Sequence, residues 1–264
     1  MAIDDLGPDQ SRPVPCVRIF PERREERLDP VVVEAPLALS FGDTPWLTTM
    51  RTPGRDLDLA LGLLFAEGVI RSASEVVRLA HCPEADPPES LVRIQLSAGH
   101  ALPRPRATIA SSACGVCGTQ AIDDLARQFP VVAQADPIQE QVLMTASTQL
   151  RPLQRVFQLT GALHGAALLD AQGEVLAMAE DVGRHNAVDK VLGQALRQDL
   201  LAPSGRLLAV TSRVGFEIAA KAWAAGVQAL VAVGAPTDLA VTTCRKAGVQ
   251  LAGFANGERL NLYP

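Results

Sequence analysis

RLLAVTSRVGFEIAAKAWAAGVQALVAVGAPTDLAVTTCRKAGVQLAGFA, Arg206 to Ala255, passes from apolar run to amphipathic segment and back with little between. RLLAVTS, ALVAVGA and VQLAGFA are short, continuous and rich in Leu, Val and Ala, as strands buried on both faces are. FEIAAKAWAAG and DLAVTTCRKAG carry apolar residues at helical spacing and end on glycine. Strand–helix alternation of this kind predicts a mainly parallel sheet covered by helices on both faces, hence an α/β fold. Upstream, HNAVDKVLGQALR extends the alternation with another helix, and AALLDAQGEVLAMAED turns at Gln172-Gly173 as a hairpin. In open α/β sheets ligands sit beyond the carboxyl ends of the strands, where helix N-termini meet anions. Three loops there carry suitable groups: Ser212 and Arg213; Thr237 and Asp238; and FANGER, Phe254 to Arg259, with Asn256, Gly257 and Arg259. Taken singly, Asp238 reads as an N-cap and Arg213 as a surface ion pair. Neither G-x-x-x-x-G-K-[ST] nor G-x-G-x-x-G is present to mark a standard nucleotide motif.

The N-terminal half has another character. Residues 1 to 13 read as a loose terminus. Val14 to Phe129 form a β-rich part: PCVRIF, VVVEAPLALSFG and TPWLTTM as strands, with Gly42-Asp43 a turn and PERREERLDP, Pro21 to Pro30, a charged solvated loop. TPGRDLDLALGLLFAEGVI, Thr52 to Ile70, has acidic residues in its first turn, apolar residues almost all round and Gly68 at its end, which predicts a buried helix. EVVRLAHC and SLVRIQLSA read as two more strands. Residues 130 to 137 read as a linker, and IQEQVLMTASTQLRPLQRVFQ is a helical pattern interrupted at Pro152. The expected division is thus 1–13, 14–130 and a C-terminal α/β ligand-binding part, 138–264.

The clearest chemical signal is SSACGVCGT, Ser111 to Thr119, between the β-permissive RATIA and the helical QAIDDLARQF. Gly115 and Gly118 permit positive φ and leave both sulfurs uncovered, and the orphan amides of the following helix favour the thiolate, the reactive form of a thiol. A structural zinc needs four ligands, but Cys16, Cys82 and Cys244 stand alone, with only His81 beside one of them. A zinc deaminase needs H-x-E and P-C-x-x-C, and neither is present. A thioredoxin-type redox pair and a persulfide carrier both remain open. Arg184 and His185, opening a helix in DVGRHNAVDK, and His164 in TGALH are further polar candidates; a lone His on an apolar segment is more often a satisfied core residue than a catalyst.

With 264 residues, 48% of them hydrophobic but only 4% aromatic, the chain can bury a large Ala-, Leu- and Val-rich core. Its formal charge of −5 argues against general nucleic-acid binding. The cysteines do not suggest a disulfide framework, no cleavable leader opens the sequence, and no apolar run reaches the roughly 20 residues that span a bilayer. A soluble cytoplasmic protein without membrane contact is the expectation.

LALGLLFAEGVI, SSACGVCGT, TGALHGAAL, EDVGRHNAVDKVLG, TSRVGFEIAAKAWAAGV, GAPTDLAV and FANGER occur in this order. Together they resemble the formate dehydrogenase accessory sulfurtransferase family from about Val31 to the C-terminus. The resemblance implies transfer of sulfur, as a persulfide, from a cysteine desulfurase to the molybdenum bis(molybdopterin guanine dinucleotide) cofactor of formate dehydrogenase. It also implies a C-terminal three-layer part similar to the cytidine deaminases without their zinc, and a homodimer. Cys114 matches the persulfide-bearing position and Cys117 its companion. Phe254, Ala255, Asn256, Gly257, Glu258 and Arg259 fall where the family binds the guanine dinucleotide. Arg184, His185 and Arg213 are expected near the same ligand, which is bound as substrate, with no structural metal. The alternatives are a thiol-disulfide oxidoreductase and a non-catalytic cofactor chaperone.

Overall fold

The computed structural model describes residues 10–100, 102–103, 118–133, 137–201 and 205–264. The chain opens with a two-stranded hairpin, β1 (Ser11–Ile19) and β2 (Arg24–Val32), paired antiparallel over their full length. The two halves of the expected loose terminus therefore differ: Ser11 to Pro13 belong to a strand, and residues 1–9 lie outside the described residues. The charged segment Pro21 to Pro30 is not a loop but supplies most of β2; Arg24, Glu25, Glu26 and Leu28 are exposed, while Arg27, Asp29 and Pro30 are half-buried. β3 (Ala35–Phe41) and β4 (Thr44–Arg51) follow, joined at Gly42, whose φ of 58° suits the tight turn. With β5 (Val76–His81) and β6 (Leu91–Leu96) they make a four-stranded sheet in the order β4-β3-β6-β5.

Between β4 and β5 lies α1 (Asp56–Ala66), buried as its all-round apolar sequence requires: Leu59, Ala60 and Leu64 have no exposed surface. α2 (Gly118–Gln128) follows directly after the two thiols. The Pro152 pattern resolves into α3 (Glu140–Ala146), a 3-10 turn at Arg151–Leu153 and α4 (Arg155–Thr160); the helical pattern is interrupted, but α3 already ends at Ala146 and Pro152 sits within the 3-10 turn.

The rest is a six-stranded sheet, β12-β11-β10-β9-β7-β8, made from β7 (His164–Asp170), β8 (Val175–Asp181), β9 (Arg206–Val210), β10 (Ala229–Ala232), β11 (Gln250–Gly253) and β12 (Asn261–Tyr263). α5 (Arg184–Arg197), α6 (Phe216–Ala224) and α7 (Asp238–Ala247) connect them. The expected mainly parallel sheet is corrected here. Only β9, β10 and β11 pair in parallel; β7 enters antiparallel to β9, β8 pairs antiparallel with β7, and β12 closes the other side antiparallel. A hairpin connection forces β8 to reverse on β7, so the sheet is mixed.

Burial alternates along the strands. Ala166, Leu168, Leu208, Val210 and Leu230 pack towards α5 and α6 in one cluster with α1 and the four-stranded sheet. Ala167, Leu169, Leu207, Ala209 and Val231 pack on the other face against Leu143, Ala146 and Leu150 of the α3 region. The two halves of the chain meet where α1 crosses α5. The contact is backbone to backbone: a Cβ on Gly62 would lie 1.9 Å from the Asp189 carbonyl oxygen, and one on Gly193 would lie 1.9 Å from that of Asp58.

Candidate functional site

Cys114 and Cys117 lie outside the described residues. The other three cysteines have ordinary structural surroundings. Cys82 is buried and its thiol donates to Glu84 Oε2 at 3.0 Å. Burial pushes the Cys244 thiol up to about 12. Cys16 is half-buried on β1.

The described candidates lie along one edge of the six-stranded sheet. β9, β10 and β11 end there, β7 begins there, and β8 ends there, because β7 is antiparallel to both its neighbours. In spatial order the edge carries Phe254 to Arg259 after β11, Val233 to Thr237 after β10, Thr211 to Gly215 after β9, His164 at the start of β7 and Asp181 to His185 after β8. From β11 to β8 is four strand steps, roughly 19 Å at ~4.8 Å each. One compact ligand cannot touch both ends; an elongated one can.

The FANGER loop is held from below. Ser147 Oγ donates to the Ala255 carbonyl at 2.9 Å, and the Gly257 N–H donates to the Met144 carbonyl at 3.1 Å. Asn256 spends its side-chain oxygen on its own turn, accepting from the N–H groups of Glu258 and Arg259 at 3.1 and 3.0 Å. Gly257 has φ 90°, which a side chain would strain. Phe254, in the left-handed region at φ 56°, is 42% exposed, and the Arg259 side chain is exposed with no hydrogen bond or ion pair among the described residues. The neighbouring loops fit closely: a Cβ on Gly234 would stand 2.9 Å from Arg213 Cα. The Arg213 side chain itself is exposed and unpaired among the described residues. Thr237, rather than Asp238, caps α7, accepting from the Ala240 N–H at 3.2 Å. The aromatic ring, two guanidinium groups and a glycine turn are groups able to meet a base and phosphates.

At the other end of the edge, Asp181 is fully buried and saturated with donors. Lys190 Nζ stands 2.8 Å from Oδ2, the Thr52 N–H donates to Oδ2 at 3.1 Å, and Gly183 N–H and Asn186 Nδ2 donate to Oδ1 at 2.8 and 3.1 Å. Lys190 Nζ also donates to the Thr52 carbonyl, and Asn186 Nδ2 to that of Met50. This network ties the start of α5 to the end of β4, so Arg184 and His185 are presented from a fixed base. His185 Nε2 lies 2.7 Å from Glu217 Oε2 on α6, and that contact holds the Glu217 carboxyl below its ordinary value. His164 joins them: its half-burial, then the charges of Arg184 and His185, hold its pKa down, with Asp181 pulling the other way. The Arg184 side chain makes no hydrogen bond or ion pair among the described residues, which leaves its charge available at this corner.

The structure thus brings His164, Arg184 and His185 together and sets FANGER at the opposite end, with Arg213 between. Glu217, Asp181 and Lys190 were not found as a network from sequence. Their spacing along the chain carries no signal, since each pairing is made between distant elements. Among the described residues no helix is long and apolar enough to cross a membrane.

Residues 32–264 match the family model FdhD/NarQ family. The chain is 43% identical over 249 residues to a sulfur carrier protein FdhD of Anaeromyxobacter dehalogenans, covering 89% of this chain and 86% of the relative. It is 41% identical over 252 residues to the protein of the same description from Corynebacterium efficiens, covering 90% of each. A solved structure from Desulfotalea psychrophila, described as a formate dehydrogenase accessory protein, matches with a TM-score of 0.77 at 22% identity over 96% of this chain and 97% of that one, which shows a shared fold. On the length of the model match and the identity to these relatives, the chain belongs to the FdhD/NarQ family.

Proposed function

We propose that the chain is a sulfurtransferase. It accepts sulfur from a cysteine desulfurase as a persulfide on Cys114 and delivers it to the molybdenum bis(molybdopterin guanine dinucleotide) cofactor of formate dehydrogenase, working as a cytoplasmic homodimer. The observation that carries this reading is the match across residues 32–264 to a family whose relatives, 41% and 43% identical to this chain, are described as sulfur carriers. It is supported by the C-x-x-C pair and by an edge that offers base- and phosphate-binding groups over about 19 Å, in a part read as deaminase-like and zinc-free.

The sulfur step balances as thiol exchange. The Cys114 thiolate attacks the outer sulfur of the donor persulfide, a new S–S bond forms on Cys114, and the donor leaves as a thiolate. For delivery, the Cys117 thiolate attacks Cys114 Sγ; the Cys114–Cys117 disulfide forms, hydrosulfide leaves for the metal, and a dithiol reductant restores the pair. The substrate's guanine dinucleotide lies over Phe254 with its phosphates towards Arg259 and Arg213. Arg184, His164 and His185 meet its far end. Mass analysis of Cys114 after incubation with a cysteine desulfurase and cysteine tests the reading. One added sulfur atom supports it, a Cys114–Cys117 disulfide alone identifies an oxidoreductase, and no change identifies a carrier of cofactor only.

A further inference from the structure

The underside of the FANGER loop rests on the end of a helix far from it in sequence. α3 has seven residues, and its last carbonyls have no partner within the helix. One of them, that of Met144, accepts the Gly257 N–H at 3.1 Å. Ser147, which ends the helix, returns the bond: its Oγ donates to the Ala255 carbonyl at 2.9 Å, 108 residues further along the chain. Helix end and loop satisfy each other. The neighbouring hydroxyls behave differently. Thr145 Oγ1 donates back to the Gln141 carbonyl at 2.9 Å and Thr148 Oγ1 to that of Thr145 at 2.7 Å, the local bonds usual for hydroxyls in and beside a helix. The shelf beneath the loop is itself fixed. Leu143, Ala146 and Leu150 are wholly buried against the six-stranded sheet. Further along the same segment, the Val156 and Phe157 N–H groups donate to the Glu180 carboxylate on β8 at 3.1 and 2.9 Å.

We infer that Ser147 is a positioning residue for the ligand of the FANGER loop: it touches no ligand, and holds the loop so that Phe254 and Arg259 are presented together. The inference rests on the reading of FANGER as the guanine dinucleotide site. Ser147 is buried beneath the loop, so it acts on a ligand only through the loop. Phe254 lies in the left-handed region at φ 56°, a conformation that costs a residue with a side chain and persists where the surroundings hold it. The next residue, Ala255, has no exposed surface, so its carbonyl has no water to turn to while the loop is seated. Without the Ser147 hydroxyl, that carbonyl is satisfied only when the loop lifts to admit water. Lifting carries Phe254 on one side and Asn256 to Arg259 on the other away from their seated places.

The test compares Ser147→Ala with Ser40→Ala in the full chain. Ser40 is also buried and its Oγ also donates to a backbone carbonyl, that of Gly42, at 2.9 Å, but it stands on β3 in the four-stranded sheet. The two variants lose like bonds, one under the loop and one away from it. GDP is the probe, titrated by calorimetry well below the melting temperature of each protein. One neutral hydrogen bond changes the population of the seated loop by about a factor of five, so Ser147→Ala is expected to bind GDP about fivefold more weakly and Ser40→Ala as wild type does. Hydrogen exchange without ligand is the second readout: the Gly257 amide is expected to exchange faster in Ser147→Ala and at the wild-type rate in Ser40→Ala. Equal GDP affinity in Ser147→Ala and wild type overturns the inference and leaves the site reading standing. Equal weakening in both variants overturns it too, since the effect is then a general loss of stability, and so does an unchanged Gly257 amide in Ser147→Ala. A wild type that does not bind GDP overturns the site reading and the inference with it. Should Ser147→Ala fail to fold, Ser147→Cys, which keeps the shape with a weaker donor, takes its place under the same expectations.

Discussion

Gly62→Ala adds a single methyl where two helices leave no room for one. The new Cβ would meet the Asp189 carbonyl oxygen at 1.9 Å, the carbonyl carbon at 2.6 Å and Cα at 2.9 Å, all backbone atoms of α5. Ordinary van der Waals contact for such atoms begins beyond about 3.4 Å. No rotamer can relieve the clash; α1 and α5 have to separate by more than 1 Å, roughly, along a contact that is otherwise close-packed. Overpacking of this kind costs about 1–3 kcal/mol, and this position lies at the upper end because the obstacle is rigid backbone. Alanine returns up to about 1 kcal/mol through its better helix propensity. The net expectation is a loss of about 2 kcal/mol, or roughly 4–8 °C in Tm for a chain of this size. Gly193→Ala, which meets the Asp58 carbonyl at 1.9 Å, should behave alike. Gly215→Ala is the control, since its Cβ meets nothing within 4 Å and its φ is −94°. Thermal denaturation by circular dichroism measures all three. A Gly62→Ala protein as stable as wild type, or more stable, would refute the close approach of α1 and α5.

Lys190→Ala should destabilise by about 3–5 kcal/mol, because it strips the cation from a carboxylate with no solvent exposure, and urea titration measures the loss. His164 should titrate below the ordinary imidazole value in an NMR pH series, and Arg184→Ala should move it back up; an unchanged midpoint would remove Arg184 from its surroundings. With a depressed folded pKa, His164 contributes stability that is complete above the unfolded value near 6.5 and is lost as pH falls through the folded value. Arg259→Ala should weaken GDP binding about tenfold in calorimetry at fixed salt, since one charge-assisted hydrogen bond contributes about 1.5–3 kcal/mol. Equal affinity in both proteins would exclude that side chain from the site. Cys114→Ala should abolish sulfur acceptance, while Cys117→Ala should retain acceptance and slow delivery, both read by alkylation and mass analysis.

The C-terminal alternation was legible because each strand is apolar throughout and each helix has one apolar face, a signal contained within a few residues. β7 and β8 were legible as a hairpin, but their place in the sheet was not. β7 joins β9 across a 14-residue helix, and nothing local to either strand records that pairing. β2 was misread because an exposed ribbon has no buried face to impose alternation, so a charged strand and a charged loop look alike. Arg184, His185, Arg213 and FANGER were picked out as candidates by their position after strands and at helix starts, and the structure sets them along one edge of the sheet. The buried charges were not: Arg51, Asp56, Asp181 and Lys190 read as surface residues until their partners are known. Gly62 and Gly193 did carry a signal, since an isolated glycine inside a helical pattern usually has a packing reason.

The central claim is that sulfur passes through Cys114 to the cofactor of formate dehydrogenase. The most direct measurement loads the wild-type chain with radiolabelled persulfide from a cysteine desulfurase, removes the donor, and adds formate dehydrogenase whose cofactor lacks the sulfur ligand. The account predicts that label leaves Cys114, appears on the extracted cofactor, and rises in step with formate-oxidising activity. Label that stays on Cys114 while activity appears, or activation by the Cys114→Ala protein, would contradict it.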